Sequence, residues 1–541
     1  MRQVSGLPRL VRLGGALGYL AVGALGGGCS LHQSGVNPPD NRIFFPGGAM
    51  VDPAGHWLYV INSNSDLRYN AGTVSVVDLP AARQDDPRDP GFTDPGAVTK
   101  CTTAAPPDGV CWQSCPLDPR FVPAPNDPHL CCWDTLDEHI LNCDEQAYVR
   151  RESTVRIGSF GGRPVMQAIT SDAPNAPAER MFVPVRGDTS ITFMNVAATP
   201  DGVAFSCTGT RSNPKPPAPF ASCDDHFRIT RADDPLDTTS PVPPDDQVAN
   251  LPLEPYAIEV DSDAQLLYIG HLRGGTISLI DLGNATEDTR PALAQLYNNL
   301  LPADVSGQQG VTSLTVRDPG FCGAVYVASR FRPVIGSFVV YGVEGCPTTQ
   351  KVPQSDRTVA IVSRGEILST GLGAGSETRG IEFPRRKSGA PCAANPADPD
   401  CAPDRAFILQ RTPPALVAID TTTLAPFATI ETCQGPTHLV QQIDQSQGGA
   451  TVALFVTCFD GGEVDVIDPW APRLRTAIPV GRGPITTVLD PTDAAHAYVV
   501  GFGGNDVVVL ALDPSEPGQD RVVQRIGFPS PTPRDPDSHQ P

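Results

Sequence analysis

Lysine is nearly absent from this chain: of 39 basic residues only Lys100, Lys215, Lys351 and Lys387 are lysine, the rest being arginine. That bias points to a GC-rich genome and carries no function by itself. Positive charge as a whole is scarce. Sixty acidic residues against 39 basic ones leave a formal net charge of −21, which excludes nucleic acid as a partner, because its phosphates would repel the chain. Long helices are excluded by 58 prolines and 51 glycines, which break helices or cost them stability. After residue 29 no apolar run reaches about 18 residues, so no further membrane-spanning helix is expected. The familiar catalytic signatures are missing too: no Gly-x-Ser-x-Gly, no His-Glu-x-x-His and no Walker-type loop occurs. The glycine-rich GGRP (161–164) and GRGP (481–484) lead into strands rather than helices and make poor phosphate cradles. Without a Cys-x-x-Cys-His, covalent haem is not indicated. No cofactor and no catalytic residue is assigned from sequence.

What the chain does have is one phrase written seven times: an apolar strand, a polar turn, a second apolar strand and usually an acidic stop. The copies are 58–79, 181–196, 267–282, 325–343, 407–421, 454–469 and 497–514. Their opening aromatics are Tyr59, Phe182, Tyr268, Tyr326, Phe407, Phe455 and Tyr498, spaced by 43 to 123 residues. The shortest spacings approach the ~40–45 residues of a four-stranded propeller blade, and the longer ones are that unit plus insertions. A further strand precedes each pair, most clearly in EPYAIEVDS (254–262) and GPITTVLDP (483–491). A fourth follows at 153–160 and 521–528. One such unit cannot bury its faces alone, whereas radial stacking covers them. The expected fold is all-β: a seven-bladed β-propeller of four-stranded antiparallel blades over 42–528. A sandwich, a pair of small barrels, or six or eight blades are the competing readings.

The phrases resemble the YVTN-type β-propeller repeats of bacterial exported proteins, most closely at Tyr59-Val60-Ile61-Asn62 with Thr73 to Asp78. The resemblance implies a fold and a habit of binding, not a reaction. Residues 1–28 are similar to a lipoprotein signal peptide: Arg2, Arg9 and Arg12, then an uncharged stretch from Leu13 to Gly28, then Cys29, the expected lipidation site. Plain cleaved secretion and a retained helix are the alternatives. Residues 29–41 read as a tether and 529–541 as a disordered tail. The insertions are 81–152 (Cys-rich), 197–250 (too Pro-rich for regular structure) and 384–404. Setting Cys29 aside leaves 14 cysteines, an even number. Six fall in the first insertion (Cys101, Cys111, Cys115, Cys131, Cys132, Cys143). The others pair off as Cys207 with Cys223, Cys322 with Cys346, Cys392 with Cys401, and Cys433 with Cys458. Disulfides in an exported chain are expected, with zinc in the six-cysteine cluster as the competing reading; no metal site is assigned. How the ring closes is open, either through NRIFF (41–45) joining the last blade or through side-chain packing alone.

In a propeller meander the A–B and C–D connections share one face and the B–C and D–A connections the other. The second face collects cations: Arg163, Arg186, His271, Arg273, Arg330, Arg379, Arg411, His438 and Arg482. A guanidinium presents a planar fork of donors that suits carboxylate, phosphate or sulfate. The expected role is a monomeric binding module, lipid-anchored at the cell envelope and more at the outer than the inner membrane. Its ligand would be an envelope protein, a glycan or a small anion. The plainer reading of these cations is a set of solvated turn residues paired with local carboxylates. A lactonase-type hydrolase using Glu254, Glu377 or His438 beside Arg379 and Arg482 is one alternative, and a purely structural scaffold the other.

Overall fold

The computed structural model describes residues 36–84, 131–133, 137, 139–169, 178–210, 213–218, 220–230, 250–262, 265–283, 291–317, 324–341, 360–372, 377–385, 405–444, 449–513 and 520–527. The signal segment, Cys29, the tail and the cysteines at 101, 111, 115, 322, 346, 392 and 401 lie outside them. Seven antiparallel sheets follow one another along the chain, each a meander whose strands A, B, C and D lie in order. This is a seven-bladed β-propeller. The A strands are Pro46–Val51, Val165–Ala168, Pro255–Asp261, Val311–Val316, Thr378–Glu382, Pro436–Asp444 and Pro484–Leu489, each at the start of its sheet and beside the A strands of neighbouring blades.

The core is a ring of layers between blades rather than one central mass. Separate apolar clusters join blades three to four, four to five, five to six, six to seven and seven to one, and one larger cluster joins the first three. The aromatic residue of each B strand belongs to these layers; Tyr59, Phe182, Tyr268, Phe407, Phe455 and Tyr498 are fully buried. That explains the repeat's spelling: each wedge must present a large apolar side chain to its neighbour, and burying one contributes ~2–3 kcal/mol.

The acidic stop also has a structural cause. Asp420 at the end of strand C accepts the backbone N–H groups of Thr422 and Thr423, and Asp468 accepts those of Trp470 and Ala471. Asp78 and Asp281 do the same toward Ala81 and Gly283. Each carboxylate closes the C–D turn as an Asx turn. Asp490 plays that part in an A–B turn, accepting from Thr492 and Asp493.

The expected fourth strand is present in every blade, including Ala292–Tyr297, Ala360–Ser369, Ala425–Glu431 and Arg473–Pro479, which the repeat pattern did not locate. In blades five and six these outer strands are mostly solvent-exposed, so they lack the apolar run that marks B and C. Two other expectations need correction. The stretch 197–250 is not irregular throughout. Gly202–Ser206 is strand D of the second blade, and Arg228–Ile229 pairs with the other half of the same long strand C. The Cys207–Cys223 disulfide closes the excursion between the two. The ring closes by neither route considered. Leu141–Cys143, from the Cys-rich insertion of the first blade, adds in parallel to strand D of the last blade, Arg521–Ile526. Cys131–Trp133 pairs with it in turn, and the Cys131–Cys143 disulfide bridges those two strands.

The segment 41–45 is held by this clasp instead of forming a strand. The buried Glu145 carboxylate accepts from the Ile43 backbone N–H at 3.1 Å and the Arg42 guanidinium at 3.0 Å. Phe45 N–H donates to Asn505 Oδ1 of the last blade at 2.6 Å. Removing the clasp's cross-link in a Cys131→Ala/Cys143→Ala double variant is expected to lower stability by about 2–4 kcal/mol. Denaturant melts under non-reducing conditions check this; an unchanged midpoint would show that closure does not use the bond.

Candidate functional site

Propeller recognition depends on which side chains the short connections hold out. In blades two to seven every B–C turn is four or five residues long, such as 186–189, 272–276 and 459–462. These turns carry Arg186, Arg273, Arg330 and Arg411, and the D–A connections bring Arg163 and Arg482 to the same face. The structure divides eight of the nine sequence-chosen residues into three groups and sets His271 apart.

Arg330, Arg379 and Arg411 are paired, as the plainer reading held. Arg379 lies 2.7 Å from Glu377, Arg330 3.9 Å from the same carboxylate, and Arg411 3.5 Å from Asp460. Arg186, Arg273 and Arg482 differ: among the described residues no carboxylate comes within ion-pair distance of them. Arg273 and Arg482 are exposed. Arg186 is seated against two rings, its guanidinium carbon 5.8 Å from the centroids of both Phe160 and Tyr256, which orders it without neutralising it. His271 leaves the group. It is fully buried, with Nδ1 at 3.2 Å from the Leu253 carbonyl and Nε2 at 2.9 Å from Ser278 Oγ. Burial pushes its pKa down to about 4, so it is a neutral core residue.

The third group lies in the centre of the ring. Arg163 enters from the connection to the second blade. That chain can cross strand A of the first blade because Gly47 and Gly48 lack side chains: a Cβ on Gly48 would stand 2.4 Å from Arg163 Cα, and one on Gly47 2.4 Å from Gly161 O. From there one guanidinium nitrogen reaches His438 Nε2 of the sixth blade at 2.6 Å, and another lies 3.7 Å from Glu259 of the third. Blades two and six stand on opposite sides of a seven-membered ring, so Arg163 bridges the channel. Below it Gln441 donates to Glu382 of the fifth blade at 3.0 Å, and its own oxygen is fixed by Thr451 Oγ at 2.7 Å. Four blades therefore converge on one polar cluster.

Burial raises Glu259 to about 7, opposed by Arg163 and aided by Asp261. Burial and the nearby Glu259 raise Glu382 to about 8 against Arg163, Arg385 and Gln441. Burial, with the Arg163 charge acting in the same direction, holds His438 well below the ordinary imidazole range. His438 is thus neutral. Its Nε2 faces the Arg163 guanidinium at 2.6 Å, and its Nδ1 faces Thr486 Oγ1 at 3.2 Å and the Thr487 backbone N–H at 3.4 Å. The cluster can hold and release protons near neutrality beside a fixed cation.

Sequence reading selected Arg163 and His438 but missed Glu259, Glu382 and Gln441. Their position inside strand A was the available signal, since a charged residue in an innermost strand has only the channel or a blade interface to face. Of the carboxylates proposed for hydrolysis, Glu377 is committed to Arg379 and Arg330. Glu254 takes a left-handed backbone (φ 55°) whose carbonyl accepts Leu272 N–H at 3.0 Å; neither is part of the central cluster.

Cys433, Cys458 and Asp465 come close enough together to suggest metal ligands. The two sulfurs are bonded to each other, which removes the thiolates a metal would need. Asp465 instead accepts the Cys433 backbone N–H at 2.9 Å.

No family model matches the chain, and no curated protein matches it. Among solved structures it is similar to a functionally unknown protein from Desulfotomaculum acetoxidans DSM 771, at 11% identity and a TM-score of 0.40, covering 70% of this chain and 89% of that one. It is also similar to a "putative 6-phosphogluconolactonase" from Bacteroides fragilis NCTC 9343, at 10% identity and a TM-score of 0.38, covering 66% and 96%. The sheet order of the chain itself, not these likenesses, establishes the fold.

Glu259 and Glu382 have a consequence for stability. A carboxyl whose folded pKa is raised favours the folded state while protonated. That contribution is complete below the ordinary value of 4.5 and is lost as pH rises through about 7 and 8. A Glu382→Gln variant is expected to gain on the parent between pH 5 and 9, by on the order of 1–2 kcal/mol. Denaturant unfolding across that range checks it; parallel stability curves for the two proteins would remove the assignment.

Proposed function

We propose that this protein is an exported binding module, anchored at the cell envelope through a lipidated Cys29 and belonging with the YVTN-type propellers. Its B–C face takes an anionic group: carboxylate, phosphate or sulfate. The observation that carries the reading is Arg186. It is a cation ordered by two rings and left without a carboxylate partner among the described residues, on a face that also exposes Arg273 and Arg482. An ordered, unneutralised guanidinium is already arranged to pair with an incoming anion and loses little freedom in doing so. The three disulfides support an oxidising compartment. Among the described residues no helix is long and apolar enough to cross a membrane, so attachment rests on the Cys29 acyl chains in this reading.

A triple variant, Arg186→Glu/Arg273→Glu/Arg482→Glu, is expected to bind inorganic pyrophosphate at least tenfold more weakly than the parent by titration calorimetry, with an unchanged melting temperature. Equal affinity would defeat the assignment. An intact mass of the mature protein that begins at an acylated Cys29 tests the anchor separately.

The central cluster favours a second reading, a hydrolase of lactonase type. Glu259 or Glu382 would act as a proton carrier beside the Arg163 cation, the combination acyl-transfer chemistry needs. Against it, Arg163 already spends one nitrogen on His438. Turnover of a sugar δ-lactone, lost in Glu382→Gln, would establish the second reading over the first.

A further inference from the structure

Among the described residues, exposed apolar side chains are unevenly placed on this disc. Val36, Leu67, Leu253 and Val305 are 68%, 62%, 55% and 96% exposed, and all four belong to the B–C face or its rim. Leu67 lies in the B–C connection of the first blade, Leu253 and Val305 in D–A connections. Val36 is held to that same B–C connection by its carbonyl, which accepts Asn70 N–H at 3.0 Å. Val305 stands at the tip of a turn fixed by Asp304, whose carboxylate accepts from Ser306 and Gln308. The other exposed large apolar residues, Leu424, Phe427 and Leu474, belong to the C–D turns and outer strands of blades five and six.

The repeat polarises charge in the same sense. Its acidic stops, Asp78, Asp281, Asp420 and Asp468, all end C strands and so stand on the A–B face, where Asp52, Asp261, Asp444 and Asp490 end or follow A strands. Arg186, Arg273 and Arg482, which have no carboxylate partner among the described residues, stand on the other. Four carboxylates on the arginine face, Asp66, Asp188, Glu377 and Asp460, are paired with an arginine; Asp304 is held there by Ser306 and Gln308 instead, and Glu254, Glu431 and Glu463 stand on the same face. The inserted connections 79–154 and 383–404 join strands at the A–B face, whereas 230–254 leads to strand A of the third blade on the arginine face. Finally, the chain enters the fold at this rim. Six residues lie between Cys29 and Val36, a reach of at most ~25 Å when extended.

We propose that the B–C face lies on the membrane surface. Arg186, Arg273 and Arg482 contact lipid phosphates, and Leu67, Leu253, Val305 and Val36 enter the headgroup layer. This rests on the anionic-ligand reading above and names its ligand as a phospholipid headgroup. The acyl chains on Cys29 hold the protein to the membrane, and the face fixes its orientation there. The acidic A–B face is repelled by the same surface and points away from it.

The test is hydrogen exchange on the full-length mature protein in phosphatidylglycerol/phosphatidylethanolamine vesicles and in buffer. Amides of 303–308 and 272–275 are expected to slow at least fivefold on vesicles, while 421–424 and 469–472 on the opposite face stay unchanged. The slowing is expected to vanish in Arg273→Glu/Arg482→Glu and in Val305→Asp, although both remain anchored. Anchored protein whose 303–308 and 272–275 exchange as in buffer would overturn the proposal, as would protection that appears only when another envelope protein is added. If the mass of the mature chain shows Cys29 unacylated, the anchor reading fails on its own. The same exchange on the unacylated protein with phosphatidylglycerol vesicles then decides the face: protection upholds it and its absence overturns it.

Discussion

Seven wedges form a ring only if the last meets the first, and every other feature of this molecule depends on how that junction is made. Here it is made by a strand borrowed from far away in sequence. Leu141–Cys143 leaves the first blade's insertion and completes the outer edge of the last blade. Its neighbours Leu141, Cys143 and Tyr148 share one buried cluster with Tyr498, Val509 and Ile526 of the last blade, and with Leu58 and Val77 of the first. A parallel strand pair gives the junction backbone hydrogen bonds. The cluster gives it apolar burial, and the Cys131–Cys143 bond limits how far the borrowed hairpin can open. Pairing the exposed edge of the last blade also removes a template for aggregation. The described end of the Cys-rich insertion is therefore part of the scaffold, and its Cys131–Cys143 pair is explained without a ligand.

The second constraint is the phase of the repeat. An antiparallel meander sends A–B and C–D turns to one face and B–C and D–A turns to the other, so any residue tied to a position in the repeat is also tied to a face. Asp at the end of strand C is there to close a turn, and the same local need in successive blades builds an acidic surface as a by-product. Arginine after strand B answers no such local need. Arg186 and Arg273 close no turn, and Arg186 is held by rings rather than by a carboxylate. Charge that folding does not require is where a functional explanation starts.

Residue periodicity and turn chemistry made the B and C strands legible, because their buried aromatics and acidic stops recur in almost every copy. All seven A strands were also found. Strand D was found only in the first and last blades. Strands such as Ala425–Glu431 are largely exposed, so their side chains need no apolar pattern, and only their backbone ladder defines them. Ring closure was not legible at all: Leu-Asn-Cys at 141–143 carries no signal for a partner some 380 residues away. At the candidate site, connection-borne residues such as Arg186 could be placed by topology alone. Whether a given arginine is neutralised depends on side chains from other blades, and the sequence does not order those. His271 shows the cost. It follows the repeat rule for a turn cation, yet Ser278 and the Leu253 carbonyl take both its nitrogens inside the blade.

The channel cluster and the arginine face are linked by Arg163, and this link restricts what either can do. Arg163 spans the ring from blade two to blade six while its side chain stays 45% exposed. An anion arriving at that face meets Arg163 last, at the centre, after the outer arginines. To bind it fully, the anion must compete with Glu259 and with the His438 ring. Protonating Glu259 and Glu382 removes that competition, so the centre accepts an anion more readily as pH falls below the range of about 7 to 8. Catalysis by the same groups would need the reverse, a carboxylate free to take a proton while Arg163 holds the substrate. A bridge whose charge is satisfied from both sides of the ring suits a structural role better than catalysis: it ties blades two, three and six together and leaves recognition to the rim.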